Sequence, residues 1–182
     1  RSLAKTEIEN CIKYAKDGNQ YVLMRLNDLK LTSIPPIPRQ LADRLSSIDL
    51  SGNLMTSLNG LPAELPKLET LKVSNNTELE SLKGMPSGLP NLRGLELAGN
   101  PKLASLNGMP SELPELNRMT ILNNGVIKSL QGMPNLPKLV TLSIEGNANL
   151  ESLEGGPAQL PALAWLDIGN NSLKSLEHMP QL

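Results

Sequence analysis

The chain contains no phenylalanine, and its 182 residues include one tryptophan, two tyrosines, one cysteine and one histidine. Each shortage excludes something. A lone cysteine, Cys11, cannot form an internal disulfide and carries no information on redox compartment. One cysteine and one histidine, His178, do not supply a nucleophilic triad or a zinc site. His178 stands near the end of the chain and reads as a surface residue. No G-x-x-x-x-G-K phosphate loop is present. The net charge is −1, so nothing points to nucleic acid. No apolar run approaches the roughly 18–20 residues of a membrane span. The expectation is a chain with no cofactor, no metal and no catalysis of its own.

Leucine is what the chain has in excess, and it recurs on a beat. Residues 92–106, LRGLELAGNPKLASL, carry leucine at the first, fourth and sixth places and asparagine at the ninth. The same figure starts at Leu45, Leu68, Leu92, Leu116, Leu139 and Leu163, in steps of 23 or 24 residues. The ninth places are Asn53, Asn76, Asn100, Asn124, Asn147 and Asn171. A degenerate first copy starts at Tyr21 and has Leu29 in place of asparagine. A fixed period of this length is the mark of a solenoid, and L-x-x-L-x-L-x-x-N is the leucine-rich repeat pattern.

Within each copy the leading segment alternates, as in Leu95 and Leu97, which predicts a strand with one buried face. Seven copies predict a seven-stranded parallel sheet on the concave face of an α/β solenoid. The other half of each copy reads NGLPAELPKL, KGMPSGLPNL or NGMPSELPEL. Two prolines per coil disfavour a helix there and predict an extended, polyproline-like back. The asparagines are expected to bond loop backbone between coils, as structural residues. Leu61, Met85, Met109, Met133 and Met179 share one place and read as core filling. The place before them holds Gly60, Gly84, Gly108, Gly132 and Gly155, with Pro36 and His178 at the ends. Proline at an equivalent place argues against a positive φ, so close packing is the expected role of these glycines.

Residues 6–17, TEIENCIKYAKD, predict an amphipathic helix with Ile8, Cys11, Ile12 and Ala15 on one face. Thr6 and Glu9 read as its capping box and Gly18 as its stop. Residues 1–20 are thus expected to cap the first coil, and residues 21–182 to form one continuous solenoid. Cys11 on the apolar stripe reads as packed rather than reactive. The last coil has no polar cap. Its leucines are expected to be covered by further chain, by a partner, or by self-association through that end.

The outward face is read at the third, fifth and seventh places. Arg25, Asp49, Lys72 and Glu96, all at fifth places, alternate in sign on adjacent strands. Adjacency favours a ladder of surface ion pairs; the other reading is a polar recognition strip. Trp165 lies at a third place, with Arg118 two coils away on the same row and Leu122, Glu145 and Asp167 close by. Exposed Trp and Arg dominate binding hot spots, so these five residues form the second candidate for protein binding. The alternative for Trp165 is packing against whatever covers the last coil.

The LP-rich back and the short helix leading into LTSIPPIP resemble bacterial type III secreted effectors of the YopM, IpaH and SspH kind. That resemblance covers almost the whole chain. It implies a recognition module, secreted from a bacterium and acting on a host protein inside the host cell. The ligase members of the group carry a catalytic cysteine in a separate domain after the repeats. Nothing in these residues matches that domain, and Cys11 lies at the opposite end. A substrate-selecting part of a ubiquitin ligase is the second reading, and an internalin-like surface adhesin the third.

Overall fold

The computed structural model describes residues 2–182. It is a parallel-sheet solenoid with one strand per coil: β1 (Val22–Arg25), β2 (Leu45–Asp49), β3 (Thr70–Lys72), β4 (Gly94–Ala98), β5 (Arg118–Leu122), β6 (Thr141–Ser143) and β7 (Trp165–Asp167). The strands pair in chain order, all parallel, in one seven-stranded sheet. Third place faces third and fifth faces fifth throughout, as in Asp49 against Lys72 and Lys72 against Glu96. The hydrophobic period of two sets this register, because a slip by one residue would turn every leucine outward.

Fourth and sixth places from Met24 and Leu26 to Leu142 and Ile144 are almost wholly buried. On the far side of each coil they meet two further ladders, Leu58, Leu82, Leu106, Leu130 and Leu153, and Leu65, Leu89, Leu113, Leu136 and Leu160. These side chains join one core that runs the length of the sheet. Burying each stabilises the fold by about 1.5–3 kcal/mol relative to leaving it in water. In the methionine column Leu61, Met85 and Met133 are buried, while Met109 and Met179 are half-buried.

The back carries no helix from coil two onward. The first coil differs: residues 39–42 make a single helical turn, α2 (Arg39–Ala42), entered from Pro38. This coil lacks a second Leu-Pro step, so its chain is free to turn helically after the proline. Backbone bridges along the back join Glu64 to Gly88, Glu112 to Asn135 and Gln159 to Gln181. Among the described residues they occur at every second coil junction.

The junctions between bridges are marked differently. The eighth place reads Asp28, Gly52, Asn75, Gly99, Asn123, Gly146, Asn170, and every one has a positive φ. Glycine, asparagine and aspartate tolerate that conformation best. A Cβ on Gly52 would collide with the Asp28 carboxylate, and one on Gly99 or Gly146 with the amide of Asn75 or Asn123. The side chains of Asp28, Asn75 and Asn123 thus lie over the glycine of the following coil. The solenoid repeats in pairs of coils, a periodicity not read from the leucines.

Two expectations are corrected. The turn glycines are both left-handed and tightly packed. Gly108 has φ +103°, and a Cβ there would come within 2.6 Å of the Leu82 carbonyl carbon. Pro36 misled because the first coil turns by a different route. His178 takes the left-handed conformation without being glycine, at φ 64°. The first helix, α1 (Leu3–Lys16), starts a turn earlier than its sequence suggested. Ser2 caps it, its Oγ accepting from the Lys5 N–H at 3.2 Å. Thr6 lies inside the helix, its hydroxyl donating to the Ser2 carbonyl.

Helix α1 buries Ala4, Ile8, Cys11 and Ala15 against the first coil, with Ile12 partly buried. It also satisfies the sheet edge. Glu7 Oε1 accepts the Arg25 N–H at 2.9 Å, and the Cys11 thiol donates to the Leu23 carbonyl at 3.4 Å. An edge strand covered in this way cannot pair with a stray strand. Burial, followed by the charge and hydrogen bond of Glu7, pushes the Cys11 thiol up to about 12.

Candidate recognition face

The asparagines hold the loops that follow the strands. Each backbone N–H from Asn53 to Asn147 donates to the side-chain oxygen of the next asparagine, at 2.9–3.1 Å. Most side-chain amides donate back to a carbonyl of the preceding coil: Asn53 to Leu26, Asn100 to Val73, Asn124 to Leu97, Asn147 to Ile121 and Asn171 to Ile144. Asn76 instead donates to Ser74 in its own coil. In the first coil, where Leu29 replaces asparagine, the N–H groups of Leu29 and Leu31 donate to Asn53. Among the described residues no buried side-chain polar atom is left without a partner. This continuous ladder keeps the strand ends in line and makes a regular platform of the outward face.

Trp165 is 63% exposed on that platform. Thr141 pairs with it on one side and with Arg118 on the other, so the three lie on one row. The Arg118 guanidinium leans back over Gly94, where its Nη2 would stand 3.5 Å from a Cβ. Gly94 is buried beneath it, although its place faces outward. Leu122, Glu145 and Asp167 are half-buried.

The ladder of ion pairs expected for Arg25, Asp49, Lys72 and Glu96 does not form. Their register is as expected, yet none of the ion pairs among the described residues joins two of them. The carboxylates turn to other donors. Asp49 accepts the Ser51 N–H at 2.9 Å, and Glu96 accepts the Ser74 hydroxyl at 3.0 Å. Further along, Glu145 accepts the Asn170 amide and Asp167 the Gly169 N–H. Pairs between neighbouring coils do form on other rows, as in Glu69–Arg93, Glu78–Lys102, Glu115–Lys138 and Glu151–Lys174.

A second feature escaped the sequence reading. Tyr14 and Tyr21, the only tyrosines, are 50% and 67% exposed and line one groove between α1 and β1. Leu23, Arg25, Glu7, Asn10 and Cys11 complete it, around about 400 Å³. The signals were Tyr21 at a place that elsewhere holds leucine, and Tyr14 off the apolar stripe of α1. His178 is exposed. No group of three or more His, Cys, Asp or Glu among the described residues is placed to hold a metal ion. No helix among them is long and apolar enough to cross a membrane. What the geometry offers is a broad polar surface with isolated aromatic and cationic side chains.

One strand per coil, stacked leucines and a buried asparagine ladder define a leucine-rich repeat domain. The leucine-rich repeat family model matches residues 43–101. The chain is similar in structure to the leucine-rich repeat domain of the type III effector XCV3220 (XopL), with a TM-score of 0.67 and 23% identity. The likeness covers 91% of this chain and 56% of that one, so this chain spans little more than half of its length. No curated protein matches by sequence. The fold so shown supports a protein-interaction module.

Proposed function

We propose that this is the host-protein-binding domain of a bacterial secreted effector, delivered into the host cell. Residues 21–182 are the binding solenoid and residues 1–20 its cap. The partner is gripped by the outward face of the sheet, with Trp165, Arg118, Leu122, Glu145 and Asp167 as one contact area. The strip of Arg25, Asp49, Lys72 and Glu96 forms the other. The supporting observation is the row that sets an exposed tryptophan and an exposed arginine on either side of Thr141. The tryptophan ring is large and has few rotamers, so on a face kept in line by its hydrogen-bond ladder it loses little entropy on binding, and arginine adds a charged donor on the same row. The likeness to a type III effector supports the secreted-effector part of the reading.

The test is capture of a partner from host lysate, followed by mapping with amide hydrogen exchange. Protection is expected along β1–β7 on the sheet side. Trp165→Ala with Arg118→Ala should weaken binding at least about tenfold, or about 1.4 kcal/mol. Protection confined to the LP-rich back, or unchanged affinity in the double variant, would overturn the reading.

A further inference from the structure

The outward face treats its two signs of charge differently. All four of its carboxylates discussed above are held by a donor from the protein itself: Asp49 by Ser51, Glu96 by Ser74, Glu145 by Asn170 and Asp167 by Gly169. Its cations, Arg25, Lys72 and Arg118, have no side-chain hydrogen bond or ion pair to any described residue, and all three are exposed. Other lysines and arginines pair across coils on other rows, so the repeat geometry allows such pairs. On this face each anion accepts a hydrogen bond from the protein, while no cation's side chain donates one to a described residue.

From this we infer the partner's chemistry: an acidic α-helix lying across the strands, with one carboxylate on Arg25 and another on Lys72. The inference rests on the reading of the sheet as the binding face. Arg25 and Lys72 sit on β1 and β3 in the same row, two strand spacings apart, or about 9.6 Å. An extended segment repeats side chains on one face every ~6.7 Å or ~13 Å, and neither distance matches. A helix repeats a face after seven residues, a rise of about 10.5 Å. Residues midway between the two carboxylates, at the third or fourth position, would meet Asp49, so the helix should carry a lysine, arginine or small polar residue there. Small flanking side chains, Ser47, Thr70, Ser51 and Ser74, leave room for a helix to approach. A nucleic-acid strand fits less well, because its unbroken series of phosphates would also face Asp49 and Glu96.

The test uses the full chain and a synthetic alanine-based helix of about 20 residues. The probe carries two glutamates seven residues apart. One comparator has lysine in their place, and another sets the glutamates five residues apart, on different sides of the helix. NMR titration at low salt should show amide shifts on β1–β3 with the first peptide, and binding at least tenfold weaker for both comparators. Arg25→Gln with Lys72→Gln should lose at least tenfold in affinity for the probe. Lys83→Gln with Lys128→Gln, also exposed but off this face, should bind as the parent does. Equal binding of either comparator, shifts elsewhere, or equal loss in the control variant would overturn the inference. So would tighter binding of an oligothymidine strand at the same residues, which would assign the cations to phosphate. A captured partner that maps to the sheet but ignores Arg25→Gln with Lys72→Gln sinks this inference alone. A partner that maps to the back sinks both.

Discussion

The first and last coils carry nearly the same apolar columns and meet different fates. At the first, α1 covers the coil, Ala4, Ile8, Cys11 and Ala15 are buried, and Glu7 and Cys11 bond the edge of β1. At the last, Leu163, Leu166, Ile168 and Leu173 are half-buried and Leu176 is 59% exposed. Leu153, one coil earlier in the column of Leu176, is 2% exposed. The side chains are the same; the neighbour differs. In a solenoid a leucine is made core by the next coil, so burial belongs to the junction between repeats and not to the repeat.

That contrast can be broken most sharply by paired substitutions. Leu97→Ala, in the middle of the stack, should lower unfolding free energy in urea by about 2–5 kcal/mol. Leu176→Ala should stay within about 1 kcal/mol, since its side chain leaves little void. Equal losses would mean that the last coil is packed as firmly as the interior. Turn glycines give the next contrast. Gly108→Ala must hold a left-handed residue against the Leu82 backbone, at a cost of about 1–3 kcal/mol or more. His178→Gly, at the equivalent place of the last coil, should leave the midpoint unchanged or raise it. The asparagine ladder follows the same rule. Asn124→Ala strands buried backbone groups on both sides and should cost about 1–3 kcal/mol, with Asn171→Ala costing less.

At the covered end the contrast can be read by pH. The Cys11 thiol is raised from an ordinary 9.0 to about 12, chiefly by burial. Below pH 9 the native and unfolded chains both hold the proton, and this group's contribution to stability is complete. Between pH 9 and 12 the unfolded chain releases a proton that the native chain keeps, so stability falls as pH rises. Cys11→Ala should flatten that part of a stability–pH profile, and native Cys11 should resist maleimide labelling that reaches completion in urea. The smallest effect on stability is expected from Trp165→Ala, within about 0.5 kcal/mol, because its ring is mostly in water. A larger loss would show that Trp165 supports the last coil and would remove it from the proposed contact area.

Much of the fold was legible because leucine-rich repeats write their register in full. The strands, the asparagine places, the proline-bearing back and the apolar stripe of α1 follow from period and residue type. The left-handed turn glycines were misjudged, because Pro36 was compared with glycines on a coil that turns by α2 instead. The alternation of Asx and glycine at eighth places passed unread. It spans two coils, and its cause is the reach of Asp28 or Asn75 over the next backbone. The charged strip was legible as alternating signs but not as open cations. Whether Asp49 turns to Lys72 or to the Ser51 N–H depends on loop geometry that charge spacing does not contain.

By itself, then, the sequence determined the period, the alternation within each strand, and which columns could enter a core. Those are local matters, set by side-chain type and the two-residue repeat of extended backbone. Tertiary structure alone decided which leucines became buried, which glycines had to stay glycine, and which charges on the sheet were left without partners. Each of those depends on what the neighbouring coil places within a few ångströms, and contact between coils exists only once the chain has wound.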